Sequence, residues 1–163
     1  MDIHTYQDML TGISNRRFFV ESLEHRRQRC VEYGDNCAIL FLEIEDLKAI
    51  NAGFGRTVGD ALLTRVARIL KHNVRETDVL ARISGDEFGL LFDHLNSDQI
   101  EDKIDILFAQ LDAEKIVHAS QNIPLKVSIA YCCMGPQDTT DGLMSRAEFT
   151  KCQPKGSAAS RPG

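Results

Sequence analysis

The sequence predicts an α/β sandwich, with a mixed β-sheet that contains an antiparallel hairpin and is flanked by helices. Two observations carry this. Segments with helical apolar spacing alternate along the chain with short apolar runs of strand length. Two of those runs are joined only by a tight turn around Ser84-Gly85, and short strands with glycine in the connection are the signature of a hairpin. At 163 residues, 43% of them hydrophobic and 26% charged, the chain is long enough to bury one proper core.

Ser14 opens a helical stretch with Phe18, Phe19, Leu23 and Val31 spaced for one face and Gly34 as its stop. Cys37 to Glu45 is almost continuously apolar until its end, as a central strand buried on both faces would be. A glycine-bearing loop over Asn51 to Arg56 follows. Val58, Leu62, Val66 and Leu70 then repeat every fourth residue and predict a helix from Val58 to Val74. Val79 to Ile83 and Phe88 to Phe92 are the two hairpin strands. Ile100, Ile104, Leu107 and Leu111 form the buried stripe of a helix over Asp98 to Glu114, and Leu125 to Cys133 is the last clear strand. The order is therefore α-β-α-β-β-α-β. Lys151 to Gly163 is rich in Gly, Pro, Ser and Ala without apolar period, so it is expected to be a disordered tail behind a domain of residues 1–150.

Several function classes are disfavoured. A net charge of −5 argues against a general nucleic-acid-binding surface, though not against a local basic pocket. The apolar runs are too short to cross a bilayer, and no signal peptide is visible. Five cysteines without CxxC spacing fit neither a disulfide framework nor a zinc site, which favours a reduced, cytoplasmic setting. The five histidines are scattered and read as surface or packing residues.

The hairpin turn ends in two adjacent carboxylates, Asp86 and Glu87. A rigid, exposed tip can hold such a pair beside a ligand or a metal; an acidic surface turn is the plainer alternative. Four segments give this turn a context. They are Asp8-Met9-Leu10-Thr11-Gly12-Ile13-Ser14-Asn15-Arg16-Arg17; Phe41-Leu42-Glu43-Ile44-Glu45-Asp46-Leu47-Lys48-Ala49-Ile50-Asn51 with Gly55 and Gly59-Asp60; Ser84-Gly85-Asp86-Glu87-Phe88; and Val127-Ser128-Ile129-Ala130. In order and spacing they resemble the GGDEF family of diguanylate cyclases, whose blocks read DxLTGLxNRR, FxDIDxFKxIN…GHxxGD, GGDEF and VSIG. The Ser-Gly-Asp-Glu-Phe variant resembles the form found upstream of EAL phosphodiesterase domains, so fused EAL or sensor domains are expected partners in a longer protein.

The resemblance implies a palm-like fold of the nucleotidyl cyclase type. It also implies condensation of two GTP into cyclic di-GMP with release of pyrophosphate, in a transient two-fold homodimer. Mg2+ or Mn2+ would be held by Glu43, the Ile44 carbonyl and Asp86, with Glu87 assisting Asp86 in catalysis. Asn51 and Asp60 fall at the guanine-reading positions, Leu63 packs nearby, and Ser84, Gly85 and Lys155 complete the substrate contacts. Gly85 is expected because a side chain there would crowd the turn or the nucleotide. Arg75 and Asp78 stand at the spacing of the family's RxxD site, where bound product inhibits. Blander readings accompany these: Glu43 and Glu45 as a strand exit, Asn51 as a helix end, and Asp60 as a favourable charge in a helix's first turn.

The chain also departs from the pattern. Glu43 replaces an aspartate, which moves the carboxylate one methylene outward in a site where magnesium demands near-ideal octahedral geometry. Ala52 and Arg56 replace an aspartate and a histidine. The family closes with ADxALYxAKxxGRNR; here Arg146-Ala147-Glu148 matches the start, but Phe149 to Lys155 does not continue it and Pro154 would break that helix. Lys155 aligns weakly with the phosphate-binding lysine, and Arg161 is out of register. A catalytically degenerate domain that binds GTP or cyclic di-GMP as a regulatory module is therefore the second reading.

Overall fold

The computed structural model describes residues 5–154. In chain order the elements are β1 (Ser14–Asn15), α1 (Arg16–Tyr33), β2 (Cys37–Ile44), α2 (Leu47–Phe54), α3 (Arg56–Lys71), β3 (Val79–Ser84), β4 (Glu87–Asp93), α4 (Ser97–Asp112), β5 (Val117–His118), β6 (Gln121–Asn122), β7 (Val127–Met134), α5 (Thr140–Ser145) and β8 (Thr150–Cys152). Six strands form one mixed sheet in the order β1-β3-β4-β2-β7-β8, and β5-β6 is a separate small hairpin. Among the described residues of this sheet, only the β1–β3 pairing is parallel.

β2 lies in the middle of the sheet and explains its own sequence. Its alternate residues Ala38, Leu40, Leu42 and Ile44 face a core shared with α2, α3 and α4. Cys37, Ile39 and Phe41 face a second core under α1 and α5. With both faces covered, every position up to Leu42 must be apolar. Gly89 on the neighbouring β4 is required by close packing: a Cβ there would stand 2.8 Å from the Phe19 ring of α1.

Local signals place the helices. Asn15 caps α1 by accepting the Phe18 N–H at 3.1 Å, and Gly34 ends it in the left-handed conformation, φ 68°. Asn96 and Gln99 form a reciprocal capping box at the start of α4. The Asp8 carboxylate accepts from Thr11 and pairs with Arg82, tying the first motif block to the hairpin. No helix of the described residues is long and apolar enough to cross a membrane.

Three expectations are corrected. The buried stripe of α1 is Phe19, Leu23, Arg26 and Cys30, whereas Phe18 and Val31 are exposed. Arg26 tolerates burial because it pairs with Asp93 at 2.9 Å and donates to the Thr77 carbonyl. The expected loop from Asn51 is largely helical: α2 runs to Phe54, and Gly55 alone separates it from α3. Finally, Lys151 and Cys152, placed in the tail by composition, are strand residues of β8 whose main chains pair with β7.

Candidate active site

The acidic hairpin and the end of β2 meet at one point because β2 and β4 are sheet neighbours. Glu43 stands directly opposite Glu87 on one side and Ser128 on the other. The Ile44 N–H donates to the Asp86 carbonyl at 2.8 Å, which fastens the hairpin tip to the strand end. Burial, followed by the negative charges of Asp86 and Glu87, pushes the Glu43 carboxyl above its ordinary value, against the opposing charge of Arg146. Glu45, the next acidic residue, accepts the Ser128 hydroxyl at 2.5 Å. A cavity of about 330 Å³ opens over this end of the sheet, lined among others by Glu43, Glu45, Glu87, Arg146 and Lys151.

Glu87 is the most enclosed of these acids, with a side chain only 10% exposed. Both terminal nitrogens of Arg146 donate to its two oxygens, one of them at 2.6 Å. The Arg146 guanidinium lies 3.9 Å from the centre of the Phe41 ring, on which Phe149 also stacks at 5.6 Å. Sequence reasoning took Arg146 only as the start of a broken motif. Its carboxylate partner is 59 residues away in the chain, beyond the reach of local patterns.

The donor set suits a hard divalent cation: clustered carboxylates with a neighbouring main chain. Among the described residues, however, no three His, Cys, Asp or Glu side chains stand close enough together to hold a metal ion as they are placed. Arg146 occupies the oxygens of Glu87 instead.

Asn51 and Asp60 are brought together through Gly59. A Cβ on Gly59 would lie 1.7 Å from the Asn51 Oδ1, so only glycine admits the amide there. That Oδ1 is buried and has no hydrogen-bond partner. Asp60 is half-buried in the second turn of α3, because the helix begins at Arg56; the reading of Asp60 as a first-turn charge is thereby removed. Leu63, expected near the ligand, is 2% exposed and belongs to the core beneath.

At the tip, Ser84 and Gly85 are exposed, and Ser84 donates to Asp86 at 3.3 Å. Gly85 has no left-handed φ, and a Cβ there would meet nothing within 4 Å. The turn itself therefore does not demand glycine, contrary to one of the two reasons given for it. Lys155 lies outside the described residues.

The second candidate site lies beyond the far end of the hairpin strands. Arg75 and Asp78 pair at 3.2 Å. The Asp78 side chain is fully enclosed and also accepts the Asp93 N–H at 3.1 Å, while Arg75 donates to the Asp93 carbonyl. The half-exposed guanidinium can still meet a ligand, but the carboxylate is committed to the fold.

Known proteins resemble this chain in sequence and fold. Residues 5–157 match the family model described as "Diguanylate cyclase, GGDEF domain". The chain is 32% identical over 148 residues to the uncharacterized protein y4lL of Sinorhizobium fredii, covering 87% of this chain and 17% of that protein. It is 38% identical over 86 residues to the bifunctional diguanylate cyclase/cyclic di-GMP phosphodiesterase MucR of Pseudomonas aeruginosa, covering 53% of this chain and 13% of MucR. The fold matches the crystal structure of the GGDEF domain of DgcB from Caulobacter crescentus in complex with c-di-GMP, with a TM-score of 0.84 at 20% identity over 91% of this chain and 87% of that one. The chain thus spans under a fifth of the length of these two curated relatives.

Proposed function

Because the chain belongs to the GGDEF family of diguanylate cyclases, we propose that it condenses two GTP molecules into cyclic di-GMP, one GTP being held on each subunit of a transient two-fold dimer. The observation that carries this reading is the buried, unpartnered Asn51 Oδ1 seated on Gly59 beside Asp60. An acceptor kept out of water without a partner costs free energy, and a bound purine edge would relieve it. Guanine offers N–H donors to Asn51 and Asp60 and an acceptor to the amide N–H.

Glu43, the Ile44 carbonyl and Asp86 are the proposed holders of Mg2+ or Mn2+. When bound, the ion neutralises phosphate charge and helps activate the attacking 3′-oxygen. Asp86 and Glu87 concentrate negative charge where the ion and its triphosphate meet, and the exposed Ser84-Gly85 tip leaves the main chain open to the nucleotide. Lys155 remains the proposed further phosphate contact. Arg75 is proposed as the product-binding cation of an inhibitory site, with Asp78 holding its fork in place.

A second reading, a regulatory module that binds nucleotide without turning it over, is favoured by the closed pairing of Glu87 with Arg146 and by the longer carboxylate at Glu43. The MucR name, which joins a cyclase and a phosphodiesterase in one protein, supports fused partner domains, for which an EAL domain is proposed. Incubating the purified chain with GTP and Mg2+ and separating products by chromatography decides between the readings. Cyclic di-GMP is the expected product. Nucleotide binding without any product at high protein concentration would select the regulatory module.

A further inference from the structure

Arg146 combines features that a surface arginine lacks. It is the C-cap of α5 and adopts the left-handed conformation, φ 63°, which L side chains rarely take. Its guanidinium is pinned over Phe41, and its Nε is buried without a partner. Both terminal nitrogens are spent on Glu87, which lies next to Asp86 in the chain and opposite Glu43 across the strands.

We propose that Arg146 is an internal counter-ion that competes with the divalent cation for Glu87, and that it exchanges partners when a metal-bound triphosphate enters. The inference rests on the reading of the acidic cluster as a metal site, with Glu87 as a further acidic partner of the ion beside Glu43 and Asp86. A bidentate pair engages both oxygens of the carboxylate, so a metal ion that approaches Glu87 does so against a guanidinium already seated on it. Like charges at contact distance add to the opposition.

The guanidinium fork fits phosphate oxygens as well as it fits a carboxylate. A bare metal ion that takes Glu87 therefore strands Arg146, whereas a metal–triphosphate offers it a new anion in the same cavity. Phe41 holds the arginine at the cavity wall in either state. Metal alone is thereby disfavoured, and metal and nucleotide bind as a unit.

Titration of Mn2+, followed by the loss of its free electron-spin resonance signal, tests this on the intact chain without turnover. Arg146→Gln is expected to bind Mn2+ on the order of five- to tenfold more tightly than the wild type, the scale of losing one competing charge-assisted pair. Glu87→Gln is expected to bind it more weakly. A merely structural role for the pair would weaken both variants alike.

With Mn2+ present, Arg146→Gln should bind the slowly reacting analogue GTPαS more weakly, opposite in sign to its effect on the bare ion. Should Arg146→Gln fail to fold, Arg146→Lys keeps the charge but loses the fork, and its Mn2+ affinity should still exceed that of the wild type. Unchanged or weaker Mn2+ binding in the folded variant, or unchanged GTPαS binding, overturns the proposal. Absence of cyclic di-GMP formation by the wild type would count against the cyclase reading and leave these titrations interpretable.

Discussion

At the residue scale, the positions that matter most owe their effect to a single neighbour. Gly59→Ala would place a methyl group on the Asn51 amide and force it out of its seat. Guanine-nucleotide affinity should fall by at least about tenfold, the usual penalty for leaving a purine edge unpaired, while the circular dichroism spectrum stays unchanged. Retained affinity would remove Asn51 from the guanine site. Arg26→Met would leave the buried Asp93 carboxylate without its partner. Urea unfolding should show a loss of about 3–5 kcal/mol; a loss below about 1 kcal/mol would mean that water reaches Asp93. Asp86 and Glu87 could be read from sequence because they are adjacent and flanked by strands. Arg26 and Arg146 could not, since a charge on an apolar stripe or after a helix shows its purpose only through a distant partner.

At the element scale, the main helices and strands were legible because each repeats its apolar spacing over several turns or rungs. β1, β5, β6 and β8 escaped because two or three residues carry no period, and short strands are set by the neighbour they pair with. α2 was misread where Ala52, Gly53 and Gly55 dilute its pattern; Ile50 and Leu47 buried against the core hold it helical. The connection before β3 makes its own prediction. Arg75→Ala should weaken cyclic di-GMP binding by at least about tenfold, through loss of a charge-assisted fork, and equal affinity in both proteins would discard this site. Asp78→Asn should instead act on the fold, because its enclosed carboxylate accepts the main chain of Arg75 and Asp93. A drop in thermal midpoint together with a smaller loss of cyclic di-GMP affinity than Arg75→Ala is the expected pattern, measured by calorimetry with and without ligand.

For the whole molecule, the sheet brings together residues that lie far apart in the chain. Glu43, Glu87 and Ser128 come from three neighbouring strands, so the acidic site depends on the register of the full sheet. The family resemblance pointed to the fold and to Asp86 and Glu87, while the closure of Glu87 by Arg146 emerged only in three dimensions. If each subunit carries one GTP and two must meet, initial velocity should rise with the square of protein concentration while dimers are scarce. A strictly linear dependence at low concentration would mean either a preformed dimer or turnover by single subunits, and sedimentation distinguishes these.

The eight-residue β7 is held on its outer side by a β8 of only three residues, just beyond Arg146 and Phe149. Tension applied from the C-terminal side would load this short latch before the longer strands. A pull on the chain beyond Pro154 would strip β8 from β7 and drag on the segment that presents Arg146 to Glu87, well before the central strands sheared. The outer strand thus gives mechanical force a short path to the acidic cluster.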